Sequence, residues 1–405
     1  MYIKKSRSGY LASAFLVGAG TAAHVYAEDY APNLQEEVQT LRKEVAELRS
    51  LIKQQKIAQD EVQNLRKEVK ETARAQSEWL NTDATSHIAG YAAAGYTDRR
   101  QGGGSAFNVA SFNPIFHYQY RDIALAEAEL EVAVKADGST ETKLEYGSID
   151  IFLNDYATLV AGKFLSPLGN FRQNIHPAWI NKFPSIPTGF GEDQAAPASE
   201  VGLGVRGGYL FSNDKKIKYA LYVGNGPELE IKDGAIRGVK SDGFARDLDR
   251  RKVVGTRVAL VPLPKLEFGF SAATGGIGLS GETGRRYRVY GSDMSYQWKN
   301  FDLRGEYISQ RVADLASSSV PQGGTWKAWY GQASYKFLPS KWEGVLRYGK
   351  YQTPHADQRQ RQWALGVNYL WGPNVLVKLG YEFNQGLTGA QTDADRWLLQ
   401  FAYGF

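Results

Sequence analysis

The sequence predicts an all-β protein: a sixteen-stranded antiparallel transmembrane β-barrel preceded by a short parallel coiled coil. Three observations predict it. From Ser86 to the end, apolar and polar or small side chains alternate with period two, the spacing that puts successive residues on opposite faces of a strand. The connections between these segments alternate between short turns and long polar loops. The final segment, Asp395 to Phe405, places Trp397, Leu399, Phe401, Tyr403 and Phe405 on one face and Leu398, Gln400, Ala402 and Gly404 on the other. In a transmembrane barrel that aromatic face turns to lipid.

Composition agrees. Among 405 residues there are 43 Gly, 24 Tyr and 9 Trp, only 2 Met and no Cys. Mean hydropathy is −0.41, which suits many strands with one polar face. No segment after the N-terminal leader approaches the ~18 consecutive apolar residues a spanning helix requires. The absence of Cys removes disulfides, thiolate metal sites and Cys nucleophiles.

The first 27 residues read as a signal peptide, with Lys4, Lys5 and Arg7 before an apolar stretch from Tyr10 to Ala23 and a Val25-Tyr26-Ala27 cleavage site. Removing it lowers the formal charge from +5 to +2. That balance argues against a nucleic-acid partner.

Residues 28–82 are expected to form a coiled-coil oligomerisation segment. Val38, Leu41, Val45, Leu48 and Ile52 follow heptad spacing, and Val62, Leu65 and Val69 repeat it. The repeats are offset by 24 residues, three heptads plus three, so a stammer is expected at Gln54 to Gln59. Glu37, Glu44 and Glu61 fall at g, and Arg42, Arg49 and Arg66 at the following e position. In parallel copies each Glu faces an Arg of its neighbour, and Val or Ile at a with Leu at d leans towards dimers.

Residues 83–405 are expected to form the barrel. The sixteen candidate strands are 86–97, 110–121, 123–135, 141–153, 156–164, 200–211, 216–224, 251–261, 265–274, 286–298, 300–310, 325–337, 341–351, 359–371, 374–384 and 395–405. Segments 110–121 and 141–153 are ambiguous in phase. Short turns fall at 121–122, 154–155, 262–264, 299–300, 338–340 and 372–373; long segments fall at 98–109, 225–250, 275–285, 311–324 and 385–394. With an even strand number both ends of the barrel lie on the short-turn, periplasmic side. The longest connection, 165–199, is rich in Phe, Trp, Ile and Pro and is expected to pack against something rather than float.

Charge on a lipid-facing strand position costs ~2–4 kcal/mol for Arg or Lys at the midplane, so strand charges are expected inside. Glu127, Glu129 and Glu131 make an acidic stripe. Arg206, Lys218, Arg257, Arg304, Arg347 and Lys378 make a dispersed basic set, with Glu267, Asp302, Glu306, Glu343 and Glu382 beside them. Rings of such charges filter solutes, and single members also pair across strands. Residues 28–82 carry 11 acidic and 9 basic side chains, which leaves +4 on 83–405 and a mild anion preference.

Four motifs carry a family likeness: Ala161-Gly162-Lys163-Phe164 before the long loop, Tyr222-Val223-Gly224-Asn225-Gly226-Pro227, Gly255-Thr256-Arg257-Val258 leading to Pro262, and the terminal Tyr403-Gly404-Phe405. In them the chain resembles Gram-negative trimeric porins, particularly the phosphate-selective O/P type and the DcaP-like dicarboxylate porins, the latter also having an N-terminal coiled coil. The resemblance implies sixteen strands, a homotrimer, outer-membrane lipid as surroundings and passive diffusion of small hydrophilic solutes. It also implies that loop 165–199 folds into the lumen, with Arg172, His176, Lys182, Glu192 and Asp193 as constriction residues. The arginine ladder of phosphate-selective porins has no assignable counterpart here, so phosphate specificity does not carry over.

No catalytic, cofactor-binding or metal motif is present: there is no zinc spacing, nucleophile elbow or phosphate-cradling loop. His87, His117, His176 and His355 are scattered. Two alternatives stay open, a closed barrel serving as envelope tether or adhesin, and a phospholipase-like barrel enzyme, for which Ser111 and His117 are poorly placed.

Overall fold

The computed structural model describes residues 31–77, 83–100, 104–192, 194–212, 214–282, 284–386 and 394–405. The expected signal peptide lies outside them. The chain divides into two units at residues 81 and 82.

The first unit contains one helix, α1 (Ala31–Ser77), of 47 residues. It runs unbroken through the polar stretch where the heptads shift register. Its a and d side chains, Val38, Leu41, Val45, Leu48, Ile52, Val62, Leu65 and Val69, are 42 to 66% exposed. Helical stability in proteins comes chiefly from packing an apolar face, and within this chain that face is uncovered.

The second unit is built from β1 (Ala84–Arg99), β2 (Ser105–Tyr120), β3 (Ala124–Val134), β4 (Thr140–Asn154), β5 (Ala157–Leu165), β6 (Ser199–Ser212), β7 (Lys215–Gly224), β8 (Glu228–Lys232), β9 (Ala235–Lys240), β10 (Val253–Leu263), β11 (Leu266–Ile277), β12 (Arg285–Trp298), β13 (Phe301–Val312), β14 (Gly324–Lys336), β15 (Trp342–Gln352), β16 (Gln360–Leu370), β17 (Val375–Gly386) and β18 (Arg396–Gly404). Sixteen of these close into one antiparallel barrel in which β7 pairs directly with β10; β8 and β9 form a separate hairpin. All sixteen expected strands are present, in order.

β1 and β18 close the barrel from Tyr91 opposite Gly404 to Arg99 opposite Arg396. Gly90 and Phe405 extend this ladder with two reciprocal backbone hydrogen bonds of 2.9 Å. Gly90 has φ +155, and a Cβ there would lie 2.4 Å from the Asn113 carbonyl oxygen and 2.8 Å from the Phe405 ring. The seam therefore requires glycine.

Outward positions form an apolar band. On β16 and β17, Trp363, Leu365, Val367, Leu379 and Phe383 are 42 to 51% exposed, while their inward neighbours Ala364, Lys378 and Glu382 are fully buried. At the short-turn end aromatic rings pack in tilted and T-shaped pairs: Phe301 and Tyr335 at 4.6 Å, Tyr335 and Phe337 at 5.2 Å, Trp342 and Tyr369 at 4.9 Å. An apolar band ending in an aromatic girdle is the surface that a bilayer covers.

Two irregularities explain the uncertain phases. In the β3–β4 ladder Glu129 faces Tyr146 but Leu130 faces Leu144, leaving Glu145 as a bulge. Glu145 and Tyr146 are then both buried, which period two forbids and a bulge permits. In the β2–β3 ladder pairing skips from Phe112–Val132 to Ile115–Glu129, across Pro114, which has no N–H to donate.

Leu379 sits mid-strand on β17 between Val367 and Leu399. Replacing it with Arg is expected to destabilise the folded barrel by ~2–4 kcal/mol, read as a lower denaturant midpoint for loss of heat-modifiable gel mobility. An unchanged midpoint would contradict the lipid-facing assignment.

Candidate functional site

The connection between β5 and β6 turns into the barrel. Its prolines at 167, 177, 184, 187 and 197 remove backbone donors along a path with little regular structure. One wide helical turn, Phe171–Ile175, is closed by a 2.9 Å bond from His176 N–H to the Phe171 carbonyl.

Charged side chains of β13 to β17 hold this loop by its backbone. The Glu306 carboxylate accepts the N–H groups of Asn170 and Phe171 at 3.2 and 2.9 Å. Gly169 (φ +96) makes the approach possible, since a Cβ there would fall 1.8 Å from Glu306 Oε1. Lys378 donates to the carbonyls of Ala178 and Asn181, the second at 2.7 Å, and to Gln400 Oε1 at 2.9 Å. Arg347 donates to the Ser185 carbonyl at 2.8 Å and hydroxyl at 2.6 Å, with its guanidinium 4.6 Å from the Phe183 ring centre. Ser185 also donates to Glu382, which pairs with Arg347 and Arg396. Lys182 bonds Glu343 at 2.8 Å.

Aromatic packing fills the space beside these contacts. Phe171 and Phe190 meet Tyr330 edge-on at 6.2 and 5.1 Å. The β8–β9 hairpin folds over them, its Ile236 and Val239 in one buried cluster with Trp326 and Tyr351. The His355 Nε2 lies 2.8 Å from the Ile236 carbonyl, and Arg237 pairs with Asp357. Fully burying a Phe contributes ~1.5–3 kcal/mol, so this half of the interior is a packed core.

The open half lies against β3 to β7 and β10. It contains a cavity of about 590 Å³ bounded by Glu127 and Glu129 on one side and Arg206, Lys218 and Arg257 on the other. Glu127 accepts the Tyr146 hydroxyl at 3.0 Å and lies 3.6 Å from His117 Nε2. Glu129 is buried and accepts the Tyr91 hydroxyl at 2.8 Å. Arg206 pairs with Asp150, yet its side chain is 52% exposed. Lys218 bonds Glu267 at 2.7 Å and is 45% exposed. Arg257 is taken up by Asp293 at 2.6 Å and Glu267 at 3.0 Å. Arg304 is bound by Asp302 at 2.7 Å beside a second recess of about 310 Å³.

Between loop and β4 stands a polar strap. Carboxylates of Glu131, Glu145 and Glu192 converge within 4.8 Å. The Lys143 ammonium lies 2.6 Å from Glu192, 3.4 Å from Asp242 and 3.7 Å from Glu145. Arg172 is buried nearby, with Nε and Nη2 unpartnered among the described residues.

The expected site residues therefore fall into groups. Glu127, Arg206, Lys218 and Arg257 border the cavity, and Glu131, Arg172, His176 and Glu192 gather where the loop meets β3 and β4. Glu306, Arg347, Lys378, Glu382 and Lys182 correct the expectation of open-lumen or constriction charges. The seated loop covers Glu306, Arg347, Lys378 and Glu382, which anchor it, while Lys182, on the loop itself, bonds Glu343 of the wall. Asp193 lies outside the described residues. Lys143, Glu145, Asp150 and Asp293 were missed; the bulge hides the second, and nothing in the local pattern marks the others.

Searches with this sequence match no protein-family model and no curated protein. Solved structures do match. The outer membrane channel DcaP of Acinetobacter baumannii superposes with TM-score 0.57 at 10% identity, covering 80% of this chain and 98% of that one. OmpF of Salmonella typhi in complex with daunomycin gives 0.55 at 12%, covering 80% and 99%. The anion-selective porin of Comamonas acidovorans gives 0.54 at 12%, covering 80% and 100%. At these identities the likeness establishes the fold, the closed sixteen-stranded barrel of porins.

Two outcomes test the site. Breaking a buried ion pair by removing one partner costs ~3–5 kcal/mol, so Arg347→Ala should release the loop, read as new protease cleavage within 166–198. Burial, with the Arg172 charge adding to it, pushes His176 down from 6.5 to about 4. Its neutral form is favoured in the seated loop, so the stabilisation is complete above pH 6.5 and lost as pH falls towards 4. Protease sensitivity of the loop should rise across that window, and His176→Gln should remove the His-dependent part of the rise.

Proposed function

We propose that the protein is an outer-membrane porin that lets small hydrophilic solutes diffuse passively, with no chemistry performed on them. The observation that carries this reading is the closed barrel with an apolar outer band and a charged interior narrowed by an inserted loop. Likeness in fold to solved porins supports it. The passage runs along the β3–β7 side, past Glu127, Arg206 and Lys218 and beneath Arg172, His176 and Glu192. Most basic side chains have acidic partners, so the +4 of the barrel residues leaves only a mild preference for anions.

The protein works as a homotrimer in the outer membrane of a Gram-negative bacterium, its helical segment joining the copies in the periplasm. The exposed a and d stripe of α1, with Glu37, Glu44 and Glu61 at g and Arg42, Arg49 and Arg66 at e, supports self-association. Single-channel recording in planar bilayers tests both claims. Each insertion should open and close in three equal steps, with a small reversal potential on the anion side in a KCl gradient. A silent bilayer would favour the tether reading, and lipid hydrolysis the enzyme reading.

A further inference from the structure

The cavity of about 590 Å³ falls within the size range of small-molecule sites and is lined by charges of both signs, acidic on β3 and basic on β6, β7 and β10. Among the acids, Glu127 has a hydroxyl and an imidazole for neighbours and no Lys or Arg partner among the described residues. Among the basic groups, Arg206 and Lys218 each have one carboxylate partner and about half of their side-chain surface open. The Tyr146 hydroxyl and Ser148 lie between, on β4, and Gln173 and Asn174 border the cavity from the loop.

Separation of the charges follows from the sheet. Glu127 on β3 pairs with Ser148 on β4. Arg206 lies on β6 but reaches back to Asp150 on β4, so its guanidinium sits one to two strand spacings, about 5–10 Å, from the Glu127 strand. A simple cation would meet Arg206 and Lys218, and a simple anion would meet Glu127 and Glu129. A solute with an ammonium group at one end and a carboxylate at the other satisfies both sets of charges at once.

We propose that the juxtaposition of Glu127 with Arg206 and Lys218 across this cavity makes a binding subsite for elongated zwitterions, short peptides or ω-amino acids. Glu127 takes the ammonium group, and Arg206 with Lys218 takes the carboxylate. This rests on the reading of the barrel as a channel.

The test uses the full-length protein in liposomes and the efflux of labelled glycylglycine, N-acetylglycine, glycinamide, N-acetylglycinamide and arabinose. Glycylglycine should leave about two- to fivefold faster than its neutral analogue N-acetylglycinamide, the factor that one or two half-exposed ion pairs supply. Both singly charged compounds should be slower than glycylglycine. Glu127→Gln should reduce the rates of glycylglycine and glycinamide relative to arabinose and spare N-acetylglycine; Arg206→Gln, combined with Asp150→Asn to avoid stranding a buried carboxylate, should do the reverse. Equal rates for glycylglycine and N-acetylglycinamide in the unmodified protein, with arabinose passing, would overturn the proposal and leave the channel standing. Retention of arabinose would overturn the channel reading and the proposal with it.

Discussion

Everything inside the barrel depends on how loop 166–198 is held to the wall formed by β13 to β18. The wall contributes Glu306, Arg347, Lys378 and Glu382, all buried. The loop contributes backbone N–H and carbonyl groups that its irregular path leaves unpaired. Each satisfies the other. Lys378 has two loop carbonyls and Gln400, and Glu306 has two loop amides. A charge deprived of such partners in a dry interior costs several kcal/mol, so the loop cannot drift from the wall without exposing several charges together. That makes its seating cooperative.

The seating also makes the interior one-sided. Once Phe171, Phe183 and Phe190 pack against the wall, the β8–β9 hairpin finds an apolar surface to cover, and Ile236 and Val239 become buried in turn. The open space left inside lies on the side lined by β3 to β7. Charge there acts at short range in a narrow space, where each half-exposed side chain counts for more than it would on an open surface.

Strands and turn alternation were legible because each has a local sequence signature, whereas the folding of loop 165–199 into the barrel came from the resemblance and not from its residues. Ile217, Tyr219, Leu221 and Val223 announce their face by themselves. The anchoring role of Lys378 was not legible, since period two says that a charge points inward and says nothing of what covers it. Glu145 was hidden for a different reason: the bulge at that residue breaks the periodicity on which the inference rests. The β8–β9 hairpin did leave a signal, Asp233-Gly234 between the alternating runs Glu228–Lys232 and Ala235–Lys240. It lay within a segment whose glycine and polar content suggested an outer loop. β2 begins at Ser105, ahead of its expected start, and its first residues pair with β1 beyond the irregularity at Gly95 and Tyr96.

The sum of charges is a poor guide to what such an interior does, and the pairing explains why. Arg257 is fully engaged by two acids and Arg304 by one, so neither presents its full charge to a solute. Lys143 is engaged differently. It ties Glu192 of the loop and Asp242 beyond the hairpin to β4, across the gap that the anchors leave on the opposite side. The loop is thus held at one edge by buried charges and at the other by a partly exposed strap. The buried edge fixes where the open space lies. The partly exposed strap is the weaker of the two, because solvent and salt screen it.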